Sequence, residues 1–361
     1  MRLLVIIPSL HRGGAERVVS ILTQEWCKTH EVLIAVFDAS QPAYYHDGKL
    51  FDLFVSAQDG VMRKMANAIK RILRLSGVMR RERPDCIISF MESANFPTIF
   101  ASLMTGHLGK LSVSVRNDPA RFPYAYRWLI PLIYRLPRRV VAVSQGVAQA
   151  LAGMGVPKNR LIAIPNPAPQ PLVGKFIDRT EPPHTRYILG VGRLHRQKGF
   201  DRLLHAFAGI DDPELHLVIL GEGGERDALE ELAASLGIAA RVSLPGAMAD
   251  PMPWYQNATC FVLSSRHEGW PNVLLEAMSN SCPVLSFDCQ YGPAEIIEHG
   301  VSFLLVEEGN VEALGNAISN LFCEESIRVA LIKGGLLRVK EFKVERLAEQ
   351  WLESALWRGS L

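Results

Sequence analysis

Short apolar runs without polar alternation recur along the chain, separated by stretches of helical periodicity. "RLLVIIPSL" is followed by "GAERVVSILTQEWCKT" and "EVLIAVFD", and later come "DCIISFM", "LSVSVRND" and "RVVAVSQG", the last leading into "VAQALAGMG". Such runs predict strands buried on both faces of a parallel sheet, with the periodic stretches as right-handed crossover helices. The segment "PNPAPQPLVGKFIDRTEPPHTR" holds six prolines and little periodicity, and reads as a linker. Beyond it the alternation restarts. "RYILGVGRL", "LHLVILGEG", "RVSLPG", "CFVLSS", "CPVLSFD" and "SFLLV" predict strands, and "FDRLLHAFAGI", "GERDALEELAASLG" and "PNVLLEAMSNS" predict helices. The expected fold is therefore α/β, with two doubly wound Rossmann-like domains over residues 1–168 and 187–339 and a linker at 169–186. In the tail "VERLAEQWLESALW", Leu347, Trp351, Leu352 and Leu356 fall at helical spacing with no strand after them. A helix over 340–361 is expected to cross back and pack on the first domain.

Charge adds an asymmetry to this picture. Up to Pro165 the chain carries 22 Lys and Arg against 11 Asp and Glu, and beyond it 17 against 26. A basic half favours phosphates or anionic lipid as neighbours, while no nucleic-acid motif accompanies it. The six cysteines lie far apart with no C-x-x-C pair, mostly in apolar runs, and read as buried, reduced and structural, which favours a cytoplasmic protein. No run of about 18 apolar residues occurs, so membrane contact is expected to be peripheral. One stretch suits it. "VMRKMANAIKRILRLSGVMRRERP" puts Met62, Met65, Ile69, Ile72 and Leu73 on one helical stripe, with Lys70, Arg71, Arg74 and further cations mostly elsewhere. A basic amphipathic helix of this kind can lie on an anionic membrane or grip a lipid diphosphate; a core helix with a solvated basic face is the alternative. "RFPYAYRWLIPLIYRLPRR" adds Trp, Tyr and Arg, suited to an interfacial surface or to a core.

Ligands of doubly wound sheets sit at the carboxyl ends of strands, so the informative residues follow the strands. In "HRGGAER", Gly13 and Gly14 would let the backbone approach a ligand; a plain tight turn is the alternative. Neither this nor "GEGGER" is G-x-G-x-x-G, which argues against a dehydrogenase. In "GVGRLHRQKGF", Arg193 and Lys198 could clamp a diphosphate and stabilise a leaving group's charge, or form a solvated basic turn. In "SSRHEGWPNVLLEAM", Glu268 precedes a helix that Pro271 opens, and Glu276 lies in its second turn. Even along a continuous helix the two would be about 12 Å and roughly 80° apart, too far for one small group but suited to the two ends of a long polyhydroxylated ligand with phosphates at the helix start. "DCQYGPAEII" adds Gly292, Pro293 and Glu295 after the next strand. No D-x-D, metal-ligand spacing or nucleophile motif appears. Protein cations and helix dipoles would have to stabilise a leaving phosphate, with no metal or other cofactor expected.

Taken together, "GGAER", "GRLHRQKGFDRLL", "LVILGEGGER", "SSRHEGWPNVLLEAM" and "GPAEII" resemble glycosyltransferase family four, whose members have two Rossmann-like domains facing a cleft, the GT-B fold. The resemblance covers nearly the whole chain and implies a retaining, metal-independent transfer from a sugar nucleotide. It implies that Gly13 and Gly14 border the donor phosphates and acceptor, and that Arg193 and Lys198 bind the diphosphate. It further implies that Glu268 orients the donor sugar, that the backbone of Trp270, Pro271, Asn272 and Val273 meets phosphate or sugar, and that Glu276 holds the ribose hydroxyls. Retention would follow a front-face departure and attack, without a covalent nucleophile. Many members carry a His after a middle strand of the first domain, where this chain reads "VSVRNDPARF"; Arg116 and Asn117 stand there, and Arg116 could serve a phosphate instead. The pattern is most similar to bacterial N-acetylgalactosaminyltransferases that extend undecaprenyl-diphosphate-linked glycans. That implies a UDP-sugar donor, a lipid-linked glycan acceptor met in part by Lys70, Arg71 and Arg74, and work at the cytoplasmic face of the plasma membrane. A GDP-mannose donor, a sugar-nucleotide-binding partner without transfer, and a UDP-sugar epimerase are the competing readings.

Overall fold

Val, Ile and Leu in unbroken runs have no polar side to turn to water, and in the computed structural model they lie between helices on both faces of two parallel sheets. The structure describes all residues except 12, 41, 56–60, 170–185, 249, 298–303 and 357–361. The linker expected at 169–186 thus lies outside the described residues except at its ends. The chain divides into two units, one of Met1–Pro167 with the C-terminal segment from Lys343, the other of Ala168–Phe342.

The first unit runs β1 (Arg2–Ser9), α1 (Gly14–Cys27), β2 (Glu31–Asp38), β3 (Lys49–Asp52), α2 (Val61–Glu82), β4 (Cys86–Phe90), α3 (Glu92–Thr105), β5 (Leu111–Val115), α4 (Tyr124–Ile133), β6 (Arg139–Ala142), α5 (Gln145–Gly153) and β7 (Leu161–Ala163). Its seven strands are all parallel, in the order β3-β2-β1-β4-β5-β6-β7. Leu3 to Ile7 of β1 are completely buried, as a central strand covered on both faces requires. Ser144 ends β6's loop by accepting the Val147 amide at 3.2 Å, which caps α5.

The second unit runs β8 (Tyr187–Val191), α6 (Phe200–Ala208), β9 (His216–Leu220), α7 (Arg226–Ser235), β10 (Val242–Gly246), α8 (Met252–Asn257), β11 (Cys260–Leu263), α9 (Asn272–Ser279), β12 (Val284–Asp288), α10 (Pro293–Ile296), β13 (Leu304–Glu307), α11 (Val311–Cys323) and α12 (Glu325–Val339). Its order is β10-β9-β8-β11-β12-β13, again all parallel. Leu203, Leu204 and Phe207 of α6 pack with Ile188, Leu217 and Leu285 of the sheet; each such side chain stabilises the unit by about 1.5–3 kcal/mol relative to exposure.

The last helix, α13 (Val344–Leu356), belongs to the first unit. Trp351 is fully buried with its ring 5.2 Å from Phe90, and the Trp26 indole donates to the Ala348 carbonyl at 3.0 Å. Leu347 is buried with it, whereas Leu356, on the same sequence stripe, is exposed. Four cysteines (Cys86, Cys260, Cys282, Cys289) are buried as the apolar runs predict, Cys27 is half-buried, and Cys323, the last residue of α11, is exposed. Every strand expected from an apolar run is present. The two strands without such a run, β3 and β7, are edges of the first sheet and half-exposed, so they need no unbroken apolar stretch.

Candidate functional site

In each sheet the chain winds outward from a central strand in one direction and then in the other, so a crevice opens between β1 and β4, and between β8 and β11. The loops at the second of these points carry the acidic and basic residues singled out above. Lys198 lies in the loop after β8 and Glu268 in the loop after β11, and their side chains meet: the Lys198 ammonium is 2.7 Å from Glu268 Oε1. Ser265 Oγ donates to the same oxygen at 2.6 Å, and Glu268 Oε2 has no partner among the described residues. Both charges are largely buried, which strengthens their attraction.

Backbone contacts fix this pair. Ser264 Oγ donates to the Lys198 carbonyl at 2.9 Å, and Gln197 Nε2 donates to the His267 carbonyl at 3.0 Å. Gly199 adopts φ +65°, and a Cβ there would fall 2.1 Å from the Ser264 carbonyl oxygen, so only glycine lets the loops approach this closely. The Lys198 stem folds back over Gly192, where a Cβ would be 3.2 Å from its methylenes. Arg266 braces the arrangement with two bonds to Asp201, of 2.7 and 2.6 Å, and one to the Arg196 carbonyl. The Arg266 guanidinium holds the Asp201 carboxyl below its ordinary range. Sequence reasoning passed over Ser265, Arg266 and Asp201; the available signal was their position beside Glu268 and Lys198. Arg193, on the same β8 loop, is exposed and makes no ion pair among the described residues.

One helix further, Pro271 stands at the N-terminus of α9, whose first backbone amides are those of Asn272 and Val273. Gly292, at φ +87°, lets the loop after β12 press on Pro271; a Cβ would be 2.6 Å from the proline Cδ. Trp270 is buried edge-on to Phe342, its indole N–H without a partner. Glu276 is buried in α9 and accepts from Tyr255 Oη at 3.1 Å. Glu268 in a loop and Glu276 within the helix are thus separate carboxylates with separate partners.

The crevice of the first sheet is differently furnished. Gly13 is extended, a backbone any residue adopts, and the space a Cβ would take holds the Glu16 carboxylate, 2.2 Å from that position. A negative charge is therefore already folded over the loop in which sequence reasoning expected donor phosphates beside Gly13 and Gly14. Across the switch point Glu92, two positions beyond the end of β4, is buried at the start of α3 with Oε1 unpartnered. Arg116, directly after β5, is buried against the Phe90 ring, bonds Asn166 Oδ1 through Nη2 and leaves Nη1 without an acceptor. Burial pushes the Glu92 carboxyl up to about 7, against the pull of Arg116, and lowers Arg116 to about 10. Asn117 is exposed. Glu92 went unnoticed in the sequence, although a carboxylate two positions beyond a central strand was its signal. On α2, Lys70 is exposed, but Arg71 stacks on Phe37 and donates to the Val55 carbonyl, and Arg74 donates to the Leu53 carbonyl. Part of the phosphate-binding capacity expected of Arg71 and Arg74 is thus spent on the backbone.

Glu92 gives the fold a pH dependence of definite sign. Its folded value of about 7 exceeds the ordinary 4.5, so its carboxyl binds a proton more tightly in the folded state. The associated stability is fully present below pH 4.5 and is lost as pH rises through 7, a change of about 3 kcal/mol. Chemical denaturation of wild type and Glu92→Gln at pH 5 and pH 8 measures it: the wild type is expected to lose this increment relative to the variant, and parallel pH profiles would contradict it.

Two protein-family models match the chain, "Glycosyltransferase Family 4" over residues 12–169 and "Glycosyl transferases group 1" over residues 175–337. Among curated relatives, the Campylobacter jejuni GalNAc-alpha-(1->4)-GalNAc-alpha-(1->3)-diNAcBac-PP-undecaprenol alpha-1,4-N-acetyl-D-galactosaminyltransferase is 28% identical, with 98% of each chain covered. The lipopolysaccharide core biosynthesis glycosyltransferase LpsE of Rhizobium meliloti is 29% identical over 78% of each. Among solved structures, Anabaena HepE in complex with UDP superimposes with a TM-score of 0.77 at 19% identity, covering 98% of this chain and 99% of that one. At that identity the likeness concerns the fold, two Rossmann-like domains of the GT-B type. Since the two family models lie end to end over nearly all of the sequence, the chain belongs to the GT4-type glycosyltransferases.

Proposed function

We propose that this glycosyltransferase moves a sugar, N-acetylgalactosamine or another N-acetylhexosamine or hexose, from a UDP-sugar to a polyisoprenyl-diphosphate-linked glycan, with retention and without a metal, at the cytoplasmic face of the plasma membrane. The observation that carries the reading is the Lys198–Glu268 ion pair at the switch point of the second sheet. Lys198 has three donors and uses one on Glu268, so it can keep that bond and meet a diphosphate oxygen as charge develops there. Arg193 supplies a second cation, and the amides at the start of α9 add a partial positive charge. Glu268 keeps Oε2 for a hydroxyl of the donor sugar, while Glu276, one helical element away, holds the ribose hydroxyls. With the leaving phosphate stabilised in this way, that phosphate takes the acceptor's proton as the new bond forms on the same face. The first unit receives the acceptor, with Arg116 and Lys70 among its cations. The Campylobacter jejuni relatives, whose names specify undecaprenol-linked substrates, support the acceptor class.

Thermal shift with UDP, GDP and their sugars, followed by transfer assays on an undecaprenyl-diphosphate-linked glycan, tests this. UDP is expected to raise the melting temperature, since a ligand of the native state stabilises it, and Glu276→Ala to weaken UDP binding by about 10–100-fold. Labelled sugar should pass into the lipid fraction with its anomeric configuration kept. A shift with GDP alone would replace the donor by GDP-mannose. Free sugar released at full rate without acceptor would point to an epimerase, and tight UDP binding without turnover on any acceptor to a binding protein.

A further inference from the structure

Helix α4 is apolar on two opposite faces. Ile130 and the following Tyr134 are fully buried, and Tyr126 packs on Phe96 of α3 at 4.9 Å. On the other side Tyr124, Trp128 and Leu132, spaced four residues apart, are 74%, 65% and 62% exposed. A helix apolar all round is ordinarily enclosed, and this one has a bare outer stripe. The stripe has neighbours of the same kind. α3 continues the line of Phe96 outward through the exposed Phe100, Leu103 and Met104, and α2, packed along α3, exposes Met65, Ile69 and Leu73. α3 thus packs on α2 along one side and meets Tyr126 of α4 through Phe96, so the three helices adjoin in the first unit.

Along α2 up to Arg81, and along α4 and the segment after it, every charged residue is a cation. No acidic residue occurs between 61 and 81 or between 119 and 177. Exposed cations, among them Arg63, Lys64, Lys70, Arg127 and Arg135, border the apolar residues instead. Trp and Tyr favour the headgroup level of a bilayer, Leu the acyl boundary beneath it, and Lys and Arg the anionic headgroups. A soluble partner protein would have to supply both a hydrophobic groove and a ring of acids, whereas an anionic bilayer presents both together.

We infer that the outer face of α4 is a membrane-insertion surface: Tyr124, Trp128 and Leu132 enter the interface of an anionic bilayer while the cations of α2 and α4 hold its headgroups. This deepens the lipid-linked reading and rests on it only for the enzyme's purpose, because insertion needs no donor or acceptor. Binding to vesicles of equal parts phosphatidylglycerol and phosphatidylcholine, free of any substrate, tests it. The wild type is expected to bind, with indole fluorescence quenched by lipids brominated near the headgroup, a quenching that Trp128→Phe largely removes. Trp128→Ser combined with Leu132→Ser should weaken binding by at least about tenfold, with the melting temperature unchanged because both side chains are exposed. Unchanged vesicle binding by the double variant, or none by the wild type, would overturn the proposal. So would concentration-dependent self-association abolished by the same substitutions, which would make the stripe a contact between copies. A short-chain, water-soluble lipid-diphosphate acceptor separates this from the functional reading. The double variant should use it at the wild-type rate; loss of transfer to it would show that the stripe serves catalysis and not docking, whereas a wild type that binds vesicles but transfers nothing would remove the proposed activity and leave the surface.

Discussion

Replacing Lys198 by alanine is expected to lower turnover by about 10²–10³-fold, the loss seen when one preorganised charge at a developing anion is removed. Two consequences of the same deletion must be kept apart. In the proposed reaction the diphosphate loses a cation, which affects the transition state. Glu268 also loses the ammonium 2.7 Å away, leaving a buried carboxylate with only the Ser265 hydroxyl. Breaking one partner out of a buried pair typically costs about 3–5 kcal/mol, so the second unit should melt earlier as well. A Lys198→Met variant combined with Glu268→Gln resolves them. Without the stranded charge the melting temperature should return most of the way, while turnover stays at or below that of Lys198→Met. A Lys198→Ala enzyme working within about threefold of wild type would remove the lysine from the reaction.

The elements that form this site were largely legible in the sequence, because each strand of a doubly covered parallel sheet announces itself as an unbroken apolar run and each crossover helix by its period. That candidate residues such as Lys198 and Glu268 lie in loops after strands followed from the same pattern. Pairing was not legible. Lys198 and Glu268 are 70 positions apart, and only the strand order, β8 beside β11, brings their loops together; nothing in either loop states which strand neighbours which. For the same reason Arg116 and Glu92 could not be seen as a couple, since their relation depends on β4 lying against β5. Arg71 and Arg74 looked like free cations because a guanidinium bound to a backbone carbonyl has no sequence signature. Of the stripe expected on α2, the Met62 side chain lies outside the described residues, and whether Met65, Ile69 and Leu73 face core or solvent depends on the packing of Leu75, Val78 and Met79 on the other side. Strands β3 and β7 escaped notice because an edge strand can be short and half-wet.

Gly199→Ala is expected to damage the enzyme nearly as severely as loss of Lys198, though no functional group is removed. A non-glycine residue at φ +65° pays about 1–2 kcal/mol for the left-handed conformation alone. The added methyl would also lie 2.1 Å from the Ser264 carbonyl oxygen, a backbone atom that cannot rotate away. Ser264 is itself held, by its hydroxyl bond to the Lys198 carbonyl, and the next residue, Ser265, holds Glu268. The strain can therefore be relieved only by parting the β8 loop from the β11 loop, which draws the Lys198 ammonium off Glu268. The expected result is a stability loss of about 2–4 kcal/mol together with a fall in turnover of about 100-fold, since misplacing catalytic groups by an ångström has that scale of effect. Gly209→Ala is the matched control. Its φ is −78°, and a Cβ would meet nothing closer than the Ala206 carbonyl at 3.6 Å, an ordinary contact. That variant should keep wild-type turnover and melt at the same temperature or slightly higher. Denaturation and steady-state transfer measured on both variants decide the matter: if Gly199→Ala behaves like Gly209→Ala, the close approach of the two loops is not what positions the ion pair.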